Sequence, residues 1–64
     1  MLYDVGDVIR IRSGSGTDDD QTLVFVVRSV NLSTRTVGVR CVNPLPGRPA
    51  PAVLPFRRIE LLEV

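Results

Sequence analysis

The chain has 64 residues, enough for one domain, and a domain of this length buries only about 60% of the surface that its unfolded chain exposes. Its composition, 44% hydrophobic and 23% charged, is typical of a folded globular protein, and a formal net charge of +1 gives little long-range attraction to nucleic acid. No apolar run reaches the ~20 residues of a membrane span, and the N-terminus lacks the pattern of a signal peptide. We therefore expect a cytoplasmic protein without membrane contacts.

A domain this small usually needs a further source of stability. Cys41 is the only cysteine, which excludes a disulfide within the chain, and the absence of histidine leaves no tetrahedral nitrogen and sulfur site for zinc. Self-association is the remaining source of stability. The composition therefore favours a homo-oligomer.

The first predicted strand is Val8–Arg12. Ile9 and Ile11 lie on one of its faces, and Arg10 and Arg12 lie on the other, which is the alternation of a half-buried strand. The next segment, 13–21, is rich in serine, glycine and aspartate and predicts a long loop.

The second predicted strand, Thr22–Val30, is apolar on both faces. A strand at the surface of a small domain is normally polar on one side, so a second apolar side predicts cover by another layer or another subunit. The two sets of side chains are Leu23, Phe25 and Val27 on one side, and Val24, Val26 and Val30 on the other. We take Val24, Val26 and Val30 as the candidate protein interface.

The rest of the chain predicts three shorter elements and a rigid loop. A polar turn, 31–35, leads to a third strand, Thr36–Val42, which completes a β-hairpin. Five prolines between Asn43 and Pro55 predict a loop that ends in a short edge strand at Ala52–Leu54. The segment 55–59 predicts a single helical turn, and 60–64 a closing strand that pairs with the first.

These elements together resemble the SH3-like small barrel over nearly the whole chain. The opening Val5–Arg10 and the ending Phe56–Leu61 are similar to turn and strand segments that recur in many families with this barrel. The resemblance implies an all-β fold for residues 1–64: one small barrel of about five antiparallel strands, with a short 3₁₀ turn before the last strand. The barrel hosts many unrelated activities, so it does not imply a function.

Two groups within that superfamily share further residues with the chain. Leu2–Asp4 is similar to the opening of signalling SH3 domains, but their peptide groove is lined with several aromatics including tryptophan, and this chain has no tryptophan. The type II plasmid dihydrofolate reductases are similar at Gly6–Asp7 and at Ile59–Glu60, but Ala52 and Leu54 stand where that family carries glutamine and tyrosine. The second resemblance implies assembly into an oligomer and not reductase activity.

The sequence contains no convincing catalytic, cofactor or metal site. The run Asp18–Asp20 lacks the alternating acids and the glutamate of a calcium loop, so we expect a solvated loop. Histidine and lysine are absent, and nothing is available to activate Cys41, which we interpret as a small buried hydrophobe. The PxxP spacing of Pro46–Pro49 is interpreted as part of a rigid loop. We therefore expect a protein that is not an enzyme.

Four arginines have outward positions on strands that would be neighbours in the sheet, which predicts a basic stripe. Arginine binds phosphate with two hydrogen bonds, although the aromatic stacking platforms of single-strand binders are scarce here. The stripe consists of Arg10, Arg12, Arg28 and Arg40. We expect a non-catalytic binding or assembly module that associates with itself or with another protein, and the alternative is a nucleic-acid-binding module that uses this stripe.

Overall fold

The computed structural model describes residues 3–12, 14 and 22–62 of the chain. They form a single antiparallel sheet of five strands, and the predicted all-β fold is confirmed. Within these residues no helix combines the length and the apolar character that crossing a membrane requires. The strands are β1 (Val8–Ile11), β2 (Val24–Asn31), β3 (Thr36–Cys41), β4 (Val53–Pro55) and β5 (Ile59–Leu61).

The strand order in the sheet is β4-β3-β2-β1-β5. The last strand pairs with the first, as the sequence predicted, and the short strand after the proline-rich loop lies at an edge. A 3₁₀ turn, Phe56–Arg58, connects the two edge strands and confirms the predicted helical turn. Among the described residues no ladder joins β4 to β5, so the sheet is open at these edges.

The hydrophobic core lies on one side of the sheet, which we call the inner face. Burial alternates along β1 and along the first half of β2 and of β3, because successive side chains of a strand point to opposite faces. Phe25 and Val27 are fully buried, and Ile9 is fully buried opposite Phe25 on the neighbouring strand. The other core residues are Tyr3, Ile11, Leu23, Val37, Val39, Leu54 and Ile59.

A β-bulge interrupts the pairing of β2 with β3. Val27 lies opposite Val39, but the next paired residue of β2 is Ser29, opposite Gly38, so Arg28 is the extra residue. An extra residue shifts the alternation by one position, and every side chain beyond it changes face. The half of β2 after Arg28 therefore has the opposite alternation to the one that the sequence predicted.

The predicted loop 13–21, with the acidic run Asp18–Asp20, lies outside the described residues except for Gly14. The start of β2 is held by the side chain of Asn43, the first residue of the proline-rich loop, just after β3. The Asn43 side chain accepts a hydrogen bond from the Val24 N–H at 2.7 Å and donates one to the Thr22 carbonyl at 2.8 Å. This amide satisfies two backbone groups just where the strand begins.

Candidate functional site

The outer face of the sheet, opposite the core, carries a compact group of valines. Val26 on β2 lies opposite Val8 on β1. The N–H of Val42, which follows β3, donates to the carbonyl of Val24 at 2.9 Å. Val8 and Val42 are 37% and 54% exposed, whereas Val24 and Val26 are half-buried. We call these four residues, Val8, Val24, Val26 and Val42, the valine patch.

Val30 does not belong to this patch, and its predicted orientation was wrong. The bulge at Arg28 turns Val30 to the inner face, where it lies opposite the fully buried Val37 and packs against the core. Two of the three predicted interface residues, Val24 and Val26, therefore share the outer face. Val8 and Val42 take part in place of Val30; their outward positions can be read from the sequence, but the register that brings them beside Val26 cannot.

Charged side chains flank the valine patch on both sides. On the β3 side, Arg40 lies opposite Val26, and Arg28 lies close to both of them in a shallow groove that they share with Val42. On the β5 side, Arg10 forms an ion pair with Glu60 at 2.9 Å, with their side chains 47% and 34% exposed. An apolar centre with a charged rim is the usual anatomy of a protein interface.

The four arginines of the predicted stripe do not form one continuous basic surface. Arg10 is paired with Glu60, Arg40 is separated from Arg10 by the whole of β2, and Arg28 is at the bulge of β2, beyond Val24 and Val26. Arg12 lies beyond the end of β1 and lines a different groove. The sheet register sets these separations, and the strand parities alone do not predict them.

That groove, which we call the arginine groove, has a volume of about 850 Å³. Three arginines line it: Arg12 after β1, Arg35 in the turn between β2 and β3, and Arg57 in the 3₁₀ turn. Its other lining residues are Tyr3, Leu32, Thr34, Pro55 and Phe56. The groove therefore combines three arginines with an apolar surface. Arg35 and Arg57 were not predicted as site residues, because they are distant from the other arginines along the chain.

Backbone hydrogen bonds join the elements that carry these arginines. The N–H of Phe56 donates to the carbonyl of Arg35 at 2.9 Å, and the N–H of Arg12 donates to the carbonyl of Arg58 at 2.6 Å. The turn between β2 and β3 and the end of β1 are thus both attached to the 3₁₀ turn. The backbone positions of the three groove arginines are consequently fixed by the fold.

The turn itself is held at its start by the side chain of Asn31. The Asn31 side chain accepts hydrogen bonds from the N–H groups of Ser33 and Thr34, at 3.0 and 3.3 Å. Arg35 has a positive φ of 55°, a conformation that glycine or asparagine adopts at lower cost. The turn therefore imposes on Arg35 a backbone conformation that costs roughly 1–2 kcal/mol for a residue other than glycine.

The described residues contain no group of three or more acids, cysteines or histidines that would hold a metal ion. Cys41 is half-buried and packs against the core, and its thiol donates a weak hydrogen bond to Asn43 Oδ1 at 3.6 Å. These contacts are those of a structural side chain.

Comparison of the chain with known protein families, with curated proteins and with solved structures finds no match.

Proposed function

We propose that this protein is a non-catalytic assembly module with an SH3-like barrel fold, and that it associates with a second copy of itself through the valine patch. The fold is supported by the strand order β4-β3-β2-β1-β5 and by the 3₁₀ turn directly before β5. The observation that carries the function is the alignment of four valines on adjacent strands of the outer face, within a charged rim.

Exposed valines on one face stabilise an assembly because burying them removes apolar surface from water. Contacts of a standard interface bury about 800 Å² on each partner, nearly a fifth of the 4478 Å² that this chain exposes. Four valines form only the centre of such an area. The interface that we propose therefore includes the rim residues Arg28, Arg40, Arg10 and Glu60.

The distribution of charge on this face suits a second copy. Glu60 lies near one edge of the sheet and Arg40 near the other, with the valine patch between them. A two-fold axis parallel to the strands would place the β3 side of one copy over the β5 side of the other. Arg40 would then approach Glu60 of the second copy, and the two copies of Arg40 would stay apart.

Nucleic-acid binding through the predicted stripe has less support. Arg28 and Arg40 lie together, but Arg10 is paired with an acid and Arg12 faces a separate groove. A phosphate-binding track needs positive charge that is continuous along the backbone of the ligand. Any binding of DNA or RNA by this face should therefore be weak even at low salt.

Sedimentation equilibrium of the wild-type chain and of Val26→Glu tests the self-association. The glutamate would place a charge at the centre of the patch, so the wild type should be a dimer at tens of micromolar and the variant a monomer. Val5→Glu is the matched control, because Val5 is 68% exposed in the turn before β1 and lies outside the patch. A monomeric wild type at these concentrations, or equal loss of association in both variants, would refute the proposal.

A further inference from the structure

We infer that the arginine groove is a second binding site and that its ligand is an acidic peptide segment with apolar side chains. This site is separate from the valine patch and does not depend on self-association. Preformed clusters of arginine recognise acidic motifs because each guanidinium forms two parallel hydrogen bonds with a carboxylate. None of the described residues that line the groove is acidic, and two of its arginines, Arg35 and Arg57, are exposed.

The charge of the site rests mainly on Arg35 and Arg57. Both are exposed, they extend from different elements, and the hydrogen bond from the Phe56 N–H to the Arg35 carbonyl holds those elements together at 2.9 Å. Because the backbone of the groove is fixed before a ligand arrives, the protein does not have to order a loop on binding and loses side-chain freedom only, which lowers the cost of association. The left-handed conformation of Arg35, with φ of 55°, is consistent with a role for its side chain.

The apolar part of the groove explains why a peptide is preferred to a nucleic acid. Leu32 is 60% exposed beside the arginines and, with Pro55, offers aliphatic surface to a ligand. Stacking of bases needs exposed aromatic faces, but the Tyr3 ring is buried and Phe56 packs against it, with ring centroids 5.4 Å apart. The groove therefore fits carboxylates combined with aliphatic side chains better than phosphates combined with bases.

Fluorescence anisotropy with a fluorescein-labelled peptide of glutamate and leucine tests this inference. The wild-type chain should bind the peptide at low ionic strength and bind it more weakly as salt rises, because the contacts are ionic. The double variant Arg35→Gln with Arg57→Gln should weaken binding by about tenfold or more. Arg48→Gln removes one charge from the exposed proline-rich loop, outside the groove, and should leave the affinity within about twofold of the wild type.

The variant Arg35→Gly distinguishes an effect on peptide affinity from an effect on the stability of the fold. Glycine adopts the positive φ of this turn without strain, so the unfolding midpoint of this variant should stay unchanged or rise while its affinity for the peptide falls. Three outcomes would overturn the inference: no binding by the wild type at low salt, equal weakening by Arg48→Gln, or tighter binding of an oligothymidylate or oligouridylate than of the peptide with the same dependence on Arg35 and Arg57. The last result would assign the groove to nucleic acid.

Discussion

The hydroxyl of Tyr3 donates a buried hydrogen bond to the backbone carbonyl of Ile59, at 3.1 Å. The two residues are 56 positions apart, so this bond attaches the start of the described chain to the beginning of its last strand. The Tyr3 ring also packs against Phe56, in the 3₁₀ turn that leads to Ile59. One side chain thus supports both the closing strand and the floor of the arginine groove.

Tyr3→Phe should lower the free energy of unfolding by about 1 kcal/mol, because it removes this hydrogen bond and keeps the packing of the ring. Urea unfolding followed by far-UV circular dichroism measures the change, since Tyr3 is the only tyrosine and the chain lacks tryptophan. Tyr3→Leu serves as the comparison and should be more destabilising, because it also removes the ring. An unchanged midpoint for Tyr3→Phe would show that the bond adds nothing to stability.

Because the alternation of faces reverses after the bulge, Val30 and Val26 of β2 lie on opposite faces of the sheet and should differ in their tolerance of a polar substitution. Val30→Thr places a hydroxyl against the core and should cost about 1–2 kcal/mol, whereas Val26→Thr on the outer face should stay within about 0.5 kcal/mol of the wild type. Both variants should be measured by chemical unfolding at concentrations where the chain is monomeric. Equal costs at the two positions would contradict the assigned faces.

Most of the strands follow from the sequence. The alternation of apolar and charged residues in Val8–Arg12 predicts a strand, and the prolines before Ala52–Leu54 predict that the short strand there lies at an edge of the sheet. The bulge at Arg28 cannot be predicted from the sequence. The apolar residues of β2 keep a regular alternation across Arg28, and the extra residue is seen only when β2 is paired with β3. Val30 was misplaced for this reason. The arginine groove depends on contacts between Arg35 and the 3₁₀ turn, which strand parity cannot predict.

Gly38 on β3 lies directly opposite Ser29, the first paired residue of β2 after the bulge. A Cβ atom added at Gly38 would collide with the Ser29 hydroxyl, whereas the Ser29 Cβ would remain at 3.7 Å. Alanine is favoured over glycine in a strand by roughly 0.5–1 kcal/mol, so Gly38→Ala should stabilise the chain in a Ser29→Ala background. With Ser29 present the gain should be smaller, because the hydroxyl must first rotate away.

A double-mutant cycle over these two positions measures the difference as a coupling energy, which should be about 0.5 kcal/mol or more. Thermal or urea unfolding of the four chains supplies the data. The control pair is Gly47→Ala with Ser29→Ala, since nothing lies within 4 Å of a Cβ built at Gly47, although its φ of 73° makes the alanine costly by itself. A coupling near zero at Gly38 would mean that Ser29 does not restrict this position.

The amide side chain of Asn43 links the end of β3 to the start of β2, and its two hydrogen bonds to the backbone can be separated by substitution. Asn43→Ala removes both backbone bonds, together with the weak bond from the Cys41 thiol, and should cost about 1–2 kcal/mol. Asn43→Asp keeps an oxygen that accepts from the Val24 N–H but loses the donor to the Thr22 carbonyl. Hydrogen exchange at the Val24 amide distinguishes the two variants: it should become fast in Asn43→Ala and remain slow in Asn43→Asp. Continued protection of Val24 in the alanine variant would show that the strand start is held by the β1 and β3 ladders alone.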